Sequence, residues 1–200
     1  MENKKRKIAV DADEVLLDFE PALRDYYNHR FGTSLSPNDY VHYDLEKVWG
    51  GTKKRAVEIV SDFYGSEEFK KIQPLAGAQE GVRKASIENE LSVVTSRPSF
   101  IEKATRESLE RHFGNVFADI FFNGQYGIHS QGLDKSEYCL RNGIFVLLED
   151  NLDIAKKGAE KGIRVYLFDK KWNQSHEIQK GIIRVGITKN PWEEVLEDLN

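Results

Sequence analysis

The sequence predicts an α/β fold: a Rossmann-like, doubly wound parallel sheet with a small helical unit inserted after the first strand. Three observations lead there. Short, nearly continuous apolar runs recur along the chain, as expected of strands buried on both faces. Helical stretches separate those runs, the rhythm of βαβ units. One long stretch breaks the rhythm and carries no strand signal.

Ile8–Val10 is the first strand. From Asp18 to Pro74 the reading is helical: Ala56, Ile59, Val60 and Phe63 repeat at i, i+3, i+4, i+7 on one face, and Gly32, Gly50-Gly51 and Gly65 punctuate the segment. Strand logic resumes at Leu91–Val94. The helix after it has capping-box spacing from Ser99 to Glu102. Ile120–Phe122, Ile144–Leu148 and Val165–Phe168 complete the strand set, with Asp134 and Asp150 as N-caps of the intervening helices. Residues 1–17 and 75–200 thus form the α/β core, and 18–74 a helical insertion above the carboxyl end of the sheet, where such folds bind ligands.

Composition narrows the function classes. The 200 residues are 31% charged and 40% hydrophobic, a globular profile, and a net charge of −4 gives no general attraction to nucleic acid or acidic membranes. The basic run Lys4-Lys5-Arg6-Lys7 reads as a solvated lead-in to the first strand. A single cysteine, Cys139, excludes an internal disulfide and suits a reducing compartment. No apolar stretch has the length of a signal peptide core or a membrane span, so a cytoplasmic location is expected.

Four groups at strand ends carry chemistry. Asp11-Ala12-Asp13 follows the first strand, and in extended chain both carboxylates would face one spot. Such a pair can divide labour, one ionised as nucleophile and metal ligand, the other held protonated as an acid. Asp-x-Asp also occurs in turns and in sugar-nucleotide metal sites. Thr95-Ser96-Arg97-Pro98 follows the second strand. Its hydroxyls and backbone N–H groups suit phosphate oxygens, or serve only the local turn. Lys135, beside the Asp134 cap, adds a full charge to a helix N-terminus. Glu149-Asp150 follows Ile144–Leu148 and could bind a hard cation such as Mg²⁺, or simply favour the next helix.

Taken together, these groups resemble the haloacid dehalogenase-like hydrolase superfamily. Its four motifs match in order as Asp11-x-Asp13, Thr95, Lys135 and Glu149-Asp150, over about residues 8 to 170. Within it, the runs from Asp11 to Glu20, Thr95 to Pro98 and Glu149 to Ala155 resemble the 5′(3′)-deoxyribonucleotidases and their bacterial nucleotidase relatives. The resemblance implies a Mg²⁺-dependent phosphatase. Asp11 would be the nucleophile and Asp13 the general acid and base. Asp11, the Asp13 carbonyl and Asp150 would hold the metal; Thr95, Ser96 and Lys135 the phosphoryl oxygens. Glu149 would orient Lys135 or a metal-bound water, with Arg97 supporting. Residues 18–74 would be a small cap. Glu14 departs from the family, where glycine is common.

The substrate implied is a (deoxy)nucleoside monophosphate. Of the aromatic residues in the insertion, Tyr43 and Trp49, near loop glycines, are candidates to stack on a base. A sugar phosphate or other small phosphomonoester is the alternative, and a non-catalytic binding protein a more distant one. A response-regulator receiver is disfavoured because its lysine comes last, whereas Lys135 precedes Glu149-Asp150. Dehalogenation does not need the acid at Asp13. Gly124, Gly127 and Gly132 mark a loop before Lys135, and Trp172-Asn173 after Val165–Phe168 has no assigned role.

Overall fold

In the computed structural model, residues 5–124, 133–174 and 178–199 are described; Lys4, Gly127 and Gly132 lie outside them. β1 (Arg6–Val10) is followed by four helices, α1 (Phe19–Phe31), α2 (Leu45–Trp49), α3 (Lys53–Phe63) and α4 (Glu67–Lys70). The alternating part then runs α5 (Ala78–Glu88), β2 (Asn89–Thr95), α6 (Glu102–Phe113), β3 (Phe117–Phe122), α7 (Lys135–Arg141), β4 (Val146–Glu149), α8 (Leu152–Glu160), β5 (Arg164–Phe168), β6 (Ile182–Val185) and α9 (Pro191–Leu199). The strands form one parallel sheet in the order β3-β2-β1-β4-β5-β6.

Both faces of that sheet are covered. Ile8, Val10, Val93, Leu148 and Tyr166 join one apolar cluster with residues of α5, α6 and α9. Their strand neighbours Ala9, Val94, Leu147 and Val165 face the other way, packing with Tyr138 and Cys139 of α7 and Ala155 of α8. Period-two alternation therefore feeds two cores, and the strands read as continuous apolar runs.

The expected stripe on α3 is buried at all four positions, and Thr52 caps that helix by accepting from the Arg55 N–H at 3.2 Å. The segment from α1 to α4 enters and leaves side by side. The Asp18 N–H donates to the Gln73 carbonyl at 2.9 Å and the Leu75 N–H to the Leu16 carbonyl at 2.8 Å. Among the described residues, no helix is long and apolar enough to cross a membrane.

Several boundaries differ from expectation. Ser99–Ile101 forms a 3-10 turn, and Ser99 makes no side-chain cap; the tight turn leaving Pro98 replaces the capping box. Asn151, not Asp150, caps α8, its side-chain oxygen accepting from the Asp153 and Ile154 N–H groups. Asp134 caps α7 as expected, accepting from Glu137 N–H at 2.8 Å. Ile144 belongs to the α7 exit, its N–H bonded to the Cys139 carbonyl, so β4 begins at Val146. β3 starts earlier, at Phe117, and β6 adds an edge strand that the apolar runs did not mark.

Candidate active site

Strand order places the site. The chain winds from β1 outward through β2 and β3, then returns to β4 on the other side of β1, so β1 and β4 flank the switch point where such sheets bind ligands. Val10 pairs with Leu148, and the Asp11 N–H donates to the Leu148 carbonyl at 3.0 Å. Asp11 is thus the first residue beyond β1, level with Glu149 at the end of β4, and Asp150 follows it.

Lys135, at the start of α7, reaches into this crevice and is enclosed. Its Nζ lies 2.8 Å from Asp11 Oδ2 and 2.8 Å from Glu149 Oε2. Burial alone would pull its ammonium down, but Asp11 and Glu149 hold it above its ordinary value. Glu149 is fully used: its Oε1 accepts from the Asp150 and Asn151 N–H groups at 3.2 and 3.0 Å. Asp11 Oδ1 accepts from the Ala12 N–H at 2.7 Å.

Asp11, Glu149 and Asp150 present carboxylate oxygens within 4.8 Å of one another. Among the described residues, Lys135 is the cation that ion-pairs with this group. Burial, then the Glu149 charge, push both the Asp11 and Asp150 carboxyls well above the usual range. A buried cluster with more acid than base favours a bound cation, and its oxygen donors suit a hard one.

Asp13 opens onto the same cavity as Asp11 but has a different partner. The Arg97 guanidinium grips it with a two-pronged fork, Nε to Oδ2 at 3.0 Å and Nη2 to Oδ1 at 2.6 Å. Arg97 is almost fully buried, its Nη1 donating to Thr105 Oγ1 at 3.1 Å and its plane near the rings of Phe69 and Phe19. The two carboxyls therefore sit in different environments. Asp11 is buried among acids and shares the Lys135 ammonium with Glu149, whereas Asp13 is paired with the Arg97 guanidinium. The reason is that Arg97, which has no place in the simple two-acid picture, reaches Asp13 from the end of β2.

Thr95 is buried, and its Oγ1 accepts from the Arg97 N–H at 3.2 Å, the local turn contact. Ser96 lines the cavity. Tyr43 lines it too, but Trp49 does not. The Trp49 ring stacks on Tyr27 with centroids 4.4 Å apart, and its N–H donates to Tyr40 Oη at 3.0 Å. Trp49 is packing within the insertion, not a wall of the site.

Phe19, Tyr40, Tyr64 and Trp172 also border the cavity. Trp172, marked from sequence without a role, lies just past the carboxyl end of β5, where ligands gather in such sheets. Glu14 also borders the cavity. It is the non-glycine residue with positive φ among those described, at 62°. The backbone there is left-handed, which glycine adopts freely and glutamate only at a cost of roughly 1–3 kcal/mol. Its carboxylate accepts from Lys170 Nζ at 2.6 Å and from the Glu20 N–H at 2.5 Å.

Comparison with known proteins now decides the family. The model of a family described as "5' nucleotidase, deoxy (Pyrimidine), cytosolic type C protein" matches residues 5–127, more than half of the chain. The chain belongs to this 5′-nucleotidase family. A Halalkalibacterium halodurans protein named "Putative nucleotidase BH1399" is 26% identical over 172 residues, 86% of this chain and 83% of its own.

Solved structures agree on the fold. A haloacid dehalogenase-like hydrolase, SP0104 from Streptococcus pneumoniae, superposes with a TM-score of 0.69 at 14% identity, covering 98% of this chain and 99% of that one. YfnB from Bacillus subtilis, in a form bound to magnesium, gives 0.64 at 17% identity, covering 98% and 99%. The chain is a hydrolase of the haloacid dehalogenase-like superfamily, of the class that cleaves phosphoric monoesters. The 5′-nucleotidase family match contains Asp11, Asp13 and Thr95 but stops short of Lys135, Glu149 and Asp150, which the sheet brings to the same crevice.

Proposed function

We propose that the chain is a Mg²⁺-dependent phosphomonoesterase that works through an aspartyl phosphate on Asp11 and takes (deoxy)nucleoside monophosphates as substrates. The observation carrying this reading is the Asp11 carboxylate at the switch point, 2.8 Å from the enclosed Lys135 ammonium and clustered with Asp150. Asp11, the Asp13 backbone carbonyl and Asp150 would hold Mg²⁺, consistent with the acid-rich, all-oxygen donor set. When bound, the ion supplies neutralisation of the phosphoryl charge and orientation of the ester.

The protein's own groups account for the remaining steps. Asp11 attacks phosphorus, forming an acyl phosphate as the bond from phosphorus to the leaving oxygen breaks. Asp13 gives that oxygen a proton, then takes one from the water that hydrolyses the acyl phosphate, releasing inorganic phosphate and restoring Asp11. Thr95, Ser96 and Lys135 hold the phosphoryl oxygens, Glu149 keeps Lys135 aimed, and Arg97 keeps Asp13 over the cavity. The whole set is needed. Phosphate monoester hydrolysis can require accelerations near ~10²¹, and acid–base catalysis supplies only ~10²–10⁴ of that.

Residues 18–74 act as a cap whose two connections run side by side at Asp18 and Leu75. Its aromatic residues Phe19, Tyr40, Tyr43 and Tyr64 line the cavity, a surface suited to a base. The nucleotide reading is further supported by the descriptions of the matching family and of the curated relative. The family's cytosolic description and the single, buried Cys139 favour a cytoplasmic setting. A sugar phosphate is the second reading, favoured by Glu14 and Glu20 on the cavity wall, whose carboxylates can accept from hydroxyls.

The decisive experiment is phosphate release from deoxynucleotides, ribonucleotides and sugar phosphates with Mg²⁺, using wild type and Asp11→Asn. Release that disappears with EDTA and with Asp11→Asn is expected, with nucleotides fastest. Release that persists in Asp11→Asn would remove the aspartyl phosphate from the mechanism.

A further inference from the structure

Trp172-Asn173 lies in a 3-10 turn, Lys171–Asn173, just beyond β5. The turn grips Asp150 at both ends. The Trp172 indole N–H donates to Asp150 Oδ2 at 2.8 Å, and the Asn173 amide donates to the Asp150 backbone carbonyl at 2.7 Å. Asn173 is itself buried and fixed. The same amide nitrogen donates to the Phe168 carbonyl at 2.8 Å, and its oxygen accepts from the Lys170 N–H at 3.1 Å and from Arg184 Nη1 at 2.6 Å. The turn is in turn tied across the crevice, because Lys170 pairs with Glu14 at 2.6 Å and lies 5.9 Å from the Trp172 ring. One connected set of bonds thus links the loop after β1 to Asp150 through the loop after β5.

We infer that Trp172 and Asn173, tethered by the Glu14–Lys170 pair, are positioning residues that aim Asp150 at the bound divalent cation and set the affinity for it. This rests on the reading of Asp150 as a metal ligand given above. The physical basis is general: groups that hydrogen-bond a ligating carboxylate fix its orientation, and losing one typically lowers metal affinity ~10–100-fold. The inference also gives a reason for the glutamate at a left-handed position. The strain at Glu14 is tolerated because its carboxylate anchors Lys170, and with it the turn that holds Asp150.

The test is Mg²⁺ titration by calorimetry of the metal-free 200-residue chain, with thermal melting as the fold control. Trp172→Phe keeps the ring and removes only the N–H. It should melt near wild type without metal and bind Mg²⁺ roughly 10–100-fold more weakly. Lys170→Met separates positioning from charge. Removing a cation from an acidic crevice should by charge alone tighten Mg²⁺ binding, whereas loss of the tether weakens it, and weaker binding is expected. An unchanged Mg²⁺ dissociation constant in Trp172→Phe, with or without a raised substrate KM, overturns the inference and makes Trp172 a wall of the substrate cavity. Tighter binding in Lys170→Met overturns the tether. Absence of Mg²⁺ binding to wild type would overturn the metal-dependent reading itself, and this inference with it.

Discussion

At the residue scale, the Asp13–Arg97 pair changes what a simple substitution does. Asp13→Asn removes the proposed acid and base, and turnover on nucleotides should fall about 10²–10⁴-fold. It also removes the charge opposite a buried guanidinium. Because the Asp13 side chain is a quarter exposed, the stability loss should be roughly 1–3 kcal/mol, below that of a fully buried pair. Near-normal turnover in a folded Asp13→Asn protein would take Asp13 out of the chemistry. The acid cluster has its own signature. Burial and the Glu149 charge raise the Asp11 and Asp150 carboxyls, so the folded state binds protons more tightly than the unfolded one. Their contribution is fully present below about pH 3.9, the unfolded aspartate value, and is lost as pH rises through the raised values. Metal-free wild type should therefore lose stability upward from about pH 4 relative to Asp150→Asn, and Mg²⁺ should raise the wild-type melting temperature but not that of Asp150→Asn. Parallel stability profiles for the two proteins would show that the strain of the acids is relieved elsewhere.

At the element scale, the two candidate aromatic residues of the insertion separate cleanly. Trp49 stacks on Tyr27 and bonds Tyr40, so Trp49→Ala should cost about 2 kcal/mol, from lost burial and ring contact. Its KM should shift equally for nucleotides and p-nitrophenyl phosphate. Tyr43 borders the cavity and is more than a third exposed, so Tyr43→Ala should raise KM for nucleotides more than for the aryl ester at little cost in melting temperature. Equal shifts would make Tyr43 a packing residue as well. Sequence spacing could not tell the two apart, since both lie near loop glycines and the deciding contact, Tyr27 on Trp49, joins residues 22 apart. The central strands were legible because each is buried on both faces and reads as an unbroken apolar run. The edges were not. In β3, Ala118 and Asp119 are exposed and interrupt the run, and β6 carries Arg184, which turns back to Asp169 and Asn173. Arg97 was legible as a neighbour of Thr95, but its grip on Asp13 spans 84 positions and follows only from β1 and β2 being adjacent.

At the scale of the whole molecule, the loop that carries Asp11 and Asp13 is braced from the far end of the chain. Trp192 of α9 is almost fully buried, and its indole N–H donates to the Val15 carbonyl at 2.9 Å, across 177 positions. The ring lies flat against α5 at Gly81, where an added Cβ would meet Trp192 Cε3 at 2.4 Å. Glycine inside a helix normally costs up to about 1 kcal/mol relative to alanine, so propensity alone predicts that Gly81→Ala stabilises. Overpacking a rigid ring costs typically ~1–3 kcal/mol and should win, all the more because displacing Trp192 breaks its bond to Val15. The melting temperature should fall by roughly 2–4 °C per kcal/mol lost. Trp192→Phe should also destabilise, by about 1–3 kcal/mol, because it leaves the buried Val15 carbonyl without its partner. The two substitutions share one space, so they should not add: in the Trp192→Phe background the smaller ring makes room, and the cost of Gly81→Ala should shrink or reverse toward its helical gain. Additive losses in that double-mutant cycle would show that Gly81 and Trp192 act separately, and that α5 and α9 do not brace the active-site loop as one unit.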